Sequence, residues 1–68
     1  MKVRAGVYRF AFDGSTSLVT KLSRDEWKVV RWFNEDEAGV IAYTDSLRKA
    51  RYLSYVSRET FLREAVVR

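Results

Sequence analysis

Leu22-Ser23-Arg24-Asp25-Glu26-Trp27 is the stretch that decides the predicted fold, because Val56-Ser57-Arg58-Glu59-Thr60-Phe61 repeats its pattern 34 residues later. In both stretches a serine precedes acidic residues, which is typical of a helix N-cap, and in the first the glutamate completes a capping box. The apolar residue before each serine and the aromatic residue four positions after it have the spacing of a hydrophobic staple. The two stretches therefore predict helices that start at Arg24 and Arg58.

A second repeated segment supports a duplication. Ala5-Gly6-Val7 recurs as Ala38-Gly39-Val40, at an offset of 33 residues. Because the two repeated segments have nearly the same offset, 34 and 33 residues, they predict one domain, residues 1–68, made of two pseudo-repeats, 1–34 and 35–68. Each half would form a strand, a turn, a strand and a helix. The predicted fold class is α+β: a tandem ββα repeat (ββαββα) with a four-stranded antiparallel sheet and two helices on one face.

The first strand is predicted from alternation. Within Val3–Phe12, the large aromatic residues fall on every second position and small residues or arginine lie between them. The turn signal that follows, Asp13-Gly14, permits a tight turn that sets Phe10 opposite Ser17, or a five-residue loop that sets Phe10 opposite Thr20. The longer loop gathers more large apolar groups on one face, and we favour it.

Two segments have an alternative interpretation. The segment 27–33 is rich in residues that favour strands, and an all-β barrel would follow if it formed one. Val40–Thr44 is the predicted third strand. The repeat predicts a turn over 44–49 and a fourth strand over 51–56, although 45–56 taken alone also fits a helix capped by Asp45 or Ser46. The repeat leads us to prefer the strand.

The composition argues against an enzyme. The chain has no cysteine and no histidine, so disulfides, the usual zinc ligand sets and histidine-based catalytic triads cannot form. Its three glycines are isolated, which leaves no glycine-rich phosphate loop. We therefore expect no catalytic residues, no bound metal and no cofactor.

The pattern of charge favours an acidic partner. The net charge is +4, and all of the excess lies in residues 1–34, while residues 35–68 are balanced. No apolar segment has the length of a membrane span or the features of a secretory signal. These observations predict a cytoplasmic protein that does not bind membranes.

The binding residues are predicted from basic groups that lie near aromatic ones. A basic turn followed by tyrosines would combine phosphate neutralisation with base stacking. The sheet face that carries Arg9 and Lys21, or whichever face the two helices leave open, would offer a second platform. Trp32 would lie at the edge of the first helix. The predicted site residues are Arg9, Lys21, Trp32, Arg48, Lys49, Arg51, Tyr52 and Tyr55.

The leading predicted function is non-enzymatic nucleic-acid binding, with single strands favoured and a regulatory role. The alternative is a small inhibitor or adaptor, of a kind that mobile elements encode, whose exposed Trp32, Tyr52 or Tyr55 anchors an acidic protein partner. Apolar residues on the uncovered sheet face also predict a homodimer formed through that face. These residues are Val3, Val7, Ala11, Val40 and Ala42.

Overall fold

The computed structural model describes residues 7–12, 14–34 and 38–65, and its class is α+β. Four strands come first and two helices follow, and the strands form one antiparallel sheet in the order β1-β2-β3-β4. The strands are β1 (Val7–Phe12), β2 (Ser15–Ser23), β3 (Glu26–Trp32) and β4 (Val40–Thr44); the helices are α1 (Leu47–Ser54) and α2 (Arg58–Glu64). The sheet and the two helices match the predicted class, but the order is ββββαα, and the ββαββα repeat is not found.

The predicted first helix is a strand. Ser23 pairs with Glu26 across the turn at 24–25, so the supposed capping box closes a hairpin. β3 then alternates, with Trp27, Val29 and Arg31 buried and the residues between them less buried. It hydrogen-bonds to a strand on each side. Ladder bonds on both edges and β-branched residues outweigh a local cap signal, which typically contributes about 1 kcal/mol.

The first hairpin has the tight register. Phe10 pairs with Ser17 and Tyr8 with Val19, so the longer loop that we favoured is wrong. Gly14 has a φ of 77°, in the left-handed region that suits glycine in a tight turn. The Ser15 hydroxyl donates to the Phe12 carbonyl at 2.6 Å and closes the turn.

The predicted fourth strand is helix α1. Ser46 is its N-cap, and the Ser46 hydroxyl accepts a hydrogen bond from the Lys49 amide at 3.2 Å. Ala50, Leu53 and Ser54 are buried beneath the helix. Their spacing of three and four is that of a single helix face, so the local helix pattern was a better guide than the apparent repeat.

Helix α2 begins where the sequence predicts. Ser57 is the N-cap, and its hydroxyl accepts from the Thr60 amide at 3.2 Å. The same hydroxyl donates to the Thr60 side chain at 2.9 Å, the position where a glutamate would complete a capping box. Phe61 is buried, as the staple pattern implies.

The core lies between one face of the sheet and the helices. Val19, Trp27, Val29 and Ala42 from the sheet meet the buried residues of the helices there, and aromatic residues of β1 pack around them. Val40 and Ala42, which we expected on the uncovered face, point into this core instead, because they pair with Arg31 and Val29. Val3 lies outside the described residues.

Arg31 is a buried cation in the middle of this layer. It is 1% exposed. Its Nε and one terminal nitrogen donate to the Ser15 hydroxyl at 3.1 and 3.0 Å, and the other terminal nitrogen donates to the Leu53 carbonyl at 2.9 Å. The guanidinium lies 4.7 Å from the centroid of the Phe33 ring. Arg31 therefore joins the first turn, β3 and the last turn of α1.

Candidate nucleic-acid interface

The outer surface of α1 brings together four of the eight predicted site residues. Arg48, Arg51, Tyr52 and Tyr55 are spaced three, four and seven positions apart, so they share one side of the helix. Together with Leu47 they line a shallow depression of about 480 Å³. We call these four residues the Arg–Tyr face. They are brought together by a helix and not by the turn and strand that we predicted.

Tyr55 is held in place by the edge of the sheet. Its ring meets the Phe10 ring at a centroid distance of 5.5 Å and the Phe12 ring at 5.8 Å, both edge to face. It still keeps 44% of its surface exposed. A ring that is already fixed loses little conformational entropy when a ligand packs on it.

Tyr52 is held by α2. Its hydroxyl donates to the Glu64 Oε2 at 2.8 Å, and the side chain remains 46% exposed. The pKa of Tyr52 is raised, first by this hydrogen bond and then by desolvation and by the negative charge of Glu64. Both exposed rings of the Arg–Tyr face are thus oriented before any ligand binds.

We expect the Tyr52 phenol to titrate above the ordinary tyrosine value of about 10. Since folding raises this pKa, the hydrogen bond stabilises the fold fully below that ordinary value, and the stabilisation is lost as the pH rises through the raised value. Glu64→Ala should return the pKa toward the ordinary value. A ¹³C NMR titration of the tyrosine ring carbons measures this, and an unchanged Tyr52 pKa in the variant would contradict the assignment.

The charge on α1 is entirely positive. Arg48 and Lys49 lie in the first turn, which has no acidic residue, and Arg51 lies in the last turn. A cation in the first turn is unfavourable by about 0.3 to 1 kcal/mol, because the helix dipole is positive there, whereas a cation in the last turn is favourable. Of the two arginines of the Arg–Tyr face, Arg48 is therefore placed against the stability of the helix.

Lys49 lies between two surfaces. It lines a cleft of about 250 Å³ with four carboxylate residues, and a depression of about 340 Å³ with Arg48, Tyr52 and Ser46. The carboxylate residues are Asp25, Glu26, Asp45 and Glu64. Lys49 therefore borders the Arg–Tyr face on one side and has acidic neighbours on the other.

The other predicted site residues do not join the Arg–Tyr face. Arg9 pairs with Leu18 on the uncovered face of the sheet, and Trp32 lies on the same face, 36% exposed. Lys21 is on the opposite face, because it pairs with the inward-facing Trp27, and its Nζ lies 5.7 Å from the centroid of the Trp27 ring. The predicted platform of Arg9 with Lys21 is therefore wrong, since the two residues are on opposite sides of the sheet.

Sequence reasoning missed a second basic cleft. Arg31 and Arg58 both lie near the Phe33 ring, at 4.7 and 5.8 Å from its centroid, and they line a cleft of about 240 Å³ with Ser15 and Ser57. Only the interpretation of 27–33 as a strand predicts that Arg31 contributes to this cleft, because alternation along a strand directs Arg31 inward with Trp27. The hydrogen bonds of Arg31 to Ser15 and Leu53 give it a structural role.

Comparison of the chain with protein-family models, with curated proteins and with solved structures finds no match. Within the described residues, no helix is long and apolar enough to cross a membrane. In the same part of the chain, no group of three or more acidic residues is arranged to hold a metal ion.

Proposed function

We propose that this protein is a non-enzymatic, cytoplasmic binder of single-stranded nucleic acid with a regulatory role, and that the Arg–Tyr face of α1 is its binding surface. The single observation that carries the proposal is the pairing of two arginines with two exposed, immobilised tyrosines on one side of a helix. Arginines neutralise phosphates and tyrosine rings stack on bases, so a single strand needs both kinds of side chain at neighbouring positions.

The tyrosines favour a single strand over a duplex. Stacking on an aromatic side chain needs an exposed base, and bases in a duplex are already stacked on one another. The Tyr55 ring meets Phe10 and Phe12 edge to face and nevertheless remains 44% exposed, so part of it is available to a base. The arginines, one turn apart on the same side, are placed to meet the backbone of the same strand.

The first test is the dependence of affinity on salt. Each phosphate that the protein neutralises contributes about 0.7 to the slope of log affinity against log salt for single strands. Replacing both Arg48 and Arg51 with alanine should flatten the slope for an oligonucleotide by about 1.4. Fluorescence anisotropy with a labelled oligonucleotide over a range of salt concentrations measures the change.

Lys49→Ala is the matched control. It removes the same charge from the same helix, at a side chain that borders Arg48 and Tyr52 but whose charge is offset by the carboxylates of the acidic cleft. The slope should change less than it does for either arginine alone. Equal effects of Lys49, Arg48 and Arg51 would mean that net charge alone drives binding, and the proposed face would be abandoned.

The tyrosines provide a second arm of the same experiment. Tyr52→Ala should weaken binding by about 1 to 3 kcal/mol with little change in the salt slope, because stacking involves no counterion release. Tyr52→Phe keeps the stacking ring but loses the hydrogen bond to Glu64 that orients it, so it should weaken binding less than Tyr52→Ala does. If duplex and single strands bind equally, the stacking part of the proposal is wrong.

A further inference from the structure

The side of the sheet away from the helices, which we call the open face, has an apolar middle. Along the central row, Arg9, Leu18, Val30 and Ile41 lie side by side on the four strands. Ile41 is 41% exposed, whereas its strand neighbours Val40 and Ala42 point inward. No other described element covers this row, because α1 and α2 both pack on the opposite side.

Trp32 is a rigid anchor beside this row. A Cβ built on Gly39 would lie 2.9 Å from the Trp32 Nε1 and 2.7 Å from the Val30 Cγ1. The indole therefore rests directly on the glycine backbone, in a space that any other residue would fill. An exposed tryptophan fixed in this way has the properties of an interface hot spot, since it offers a large surface at little entropic cost.

The middle of the open face carries charge of one sign. The row next to the central one contains Val7, Thr20, Lys28 and Tyr43, and the row on the other side contains Ala11, Thr16 and Trp32. Together the three rows carry Arg9 and Lys28 and no acidic residue; Glu26 lies beyond them, at the start of β3. Two copies packed face to face would bring four cations together in the middle of the interface, which disfavours that pairing.

The aliphatic middle also distinguishes this face from a base-stacking platform. Leu18, Val30 and Ile41 occupy the positions where stacked bases would need aromatic rings. Aliphatic residues with a fixed tryptophan instead suit the apolar stripe of a helix. The row crosses four strands and spans about 14 Å, the length of a helix of about ten residues.

We propose that the open face is a docking surface for an acidic amphipathic helix of a partner protein. The apolar stripe of that helix would lie along the central row against Trp32, and its flanking carboxylates would meet Arg9 and Lys28. The surface is separate from the Arg–Tyr face, so this inference does not depend on nucleic-acid binding by α1.

The test uses two synthetic peptides and NMR of the labelled 68-residue protein. One peptide of about 14 residues carries leucines at helical spacing with glutamates on the flanks, and the other replaces every glutamate with lysine. The acidic peptide should shift the amide signals of Leu18, Val30 and Ile41 in a saturable way, and the lysine peptide should not. The amides of α1 serve as the internal reference.

Three variants test whether the peptide binds through Trp32. Trp32→Ala should weaken binding of the acidic peptide about tenfold or more, as hot-spot truncation does. Gly39→Ala should also weaken it although the tryptophan is retained, because the added methyl displaces the indole ring. Leu62→Ala is the control, since Leu62 is an exposed apolar residue on α2 and should have no effect.

A charge reversal keeps the proposal falsifiable if the variants above fail to fold. Arg9→Glu combined with Lys28→Glu changes side chains that are not in the core and should reverse the preference, so that the lysine peptide binds better. The proposal is overturned if the acidic peptide leaves the open face unperturbed or if both peptides bind the wild type equally. It is also overturned if the open-face signals shift with protein concentration alone, which would mean a homodimer, or with an oligonucleotide but not with the peptide.

Discussion

Arg31→Met should lower the free energy of unfolding by about 2 to 4 kcal/mol. Methionine matches the length of the arginine stem, so the change mainly removes the donors that reach Ser15 and the Leu53 carbonyl. Each buried polar group that loses its partner costs about 1 to 3 kcal/mol. A domain of this length has a total stability of about 3 to 10 kcal/mol, so the loss should be large enough to unfold much of the protein on mild heating.

The reason for so large an effect is the position of Arg31. Its guanidinium binds a carbonyl in the last turn of α1, where the helix leaves carbonyls without partners and where positive charge is favourable. Urea unfolding followed by circular dichroism measures the change. Arg31→Lys should be intermediate, because an ammonium keeps the charge but cannot copy the planar fork that reaches both partners.

Arg58→Ala is the matched control for Arg31. Arg58 also lies over the Phe33 ring, at 5.8 Å, but it is exposed. Its removal should change stability by about 0.5 kcal/mol or less. If Arg31→Met and Arg58→Ala had the same midpoint in urea, Arg31 would not be the structural link that its hydrogen bonds indicate.

Phe61→Ala should cost about 3 to 5 kcal/mol, the usual range for a buried phenylalanine. Phe61 is fully buried, and its ring meets the Phe33 ring edge to face at 5.6 Å. It is the buried residue of α2, a helix of seven residues. Since so short a helix is not stable alone, loss of this one contact should release α2 from the sheet.

Hydrogen exchange separates local release from global unfolding. In Phe61→Ala, the α2 amides should exchange faster than those of β2 and β3. Leu62→Ala is the control, since it truncates the next residue of the same helix at a side chain that is 51% exposed. If both variants lose the same stability, the docking of α2 does not depend on Phe61.

Several features of this protein follow from the sequence alone, because they depend on short-range patterns. The alternation in β1 places Tyr8 and Phe10 on the core side whichever turn follows. Val40–Thr44 is a strand at the predicted bounds, and Ser57 caps α2 through a hydroxyl that reaches the Thr60 amide. In each case the residues that determine the structure lie within four positions of one another.

Tertiary structure decided the features that depend on distant partners. Glu26–Trp32 carries a cap signal, yet it becomes the strand between β2 and β4, because ladder bonds on both edges and burial of Trp27 and Val29 outweigh a local hydroxyl contact. The same placement buries Arg31, which no local pattern marks as a core residue.

In the candidate site, too, the sequence indicated the residues and the tertiary structure decided their arrangement. Basic residues next to tyrosines were visible in the sequence, and the prediction that Arg48, Arg51, Tyr52 and Tyr55 act together remains a proposal with a defined geometry. Their arrangement depended on whether the segment formed a strand or a helix, since a helix groups residues three and four apart and a strand groups every second one. Burial of Ala50 and Leu53 against the sheet decided for the helix, which groups Arg48 and Arg51 with the two tyrosines and sets Lys49 at the border between them and the acidic cleft.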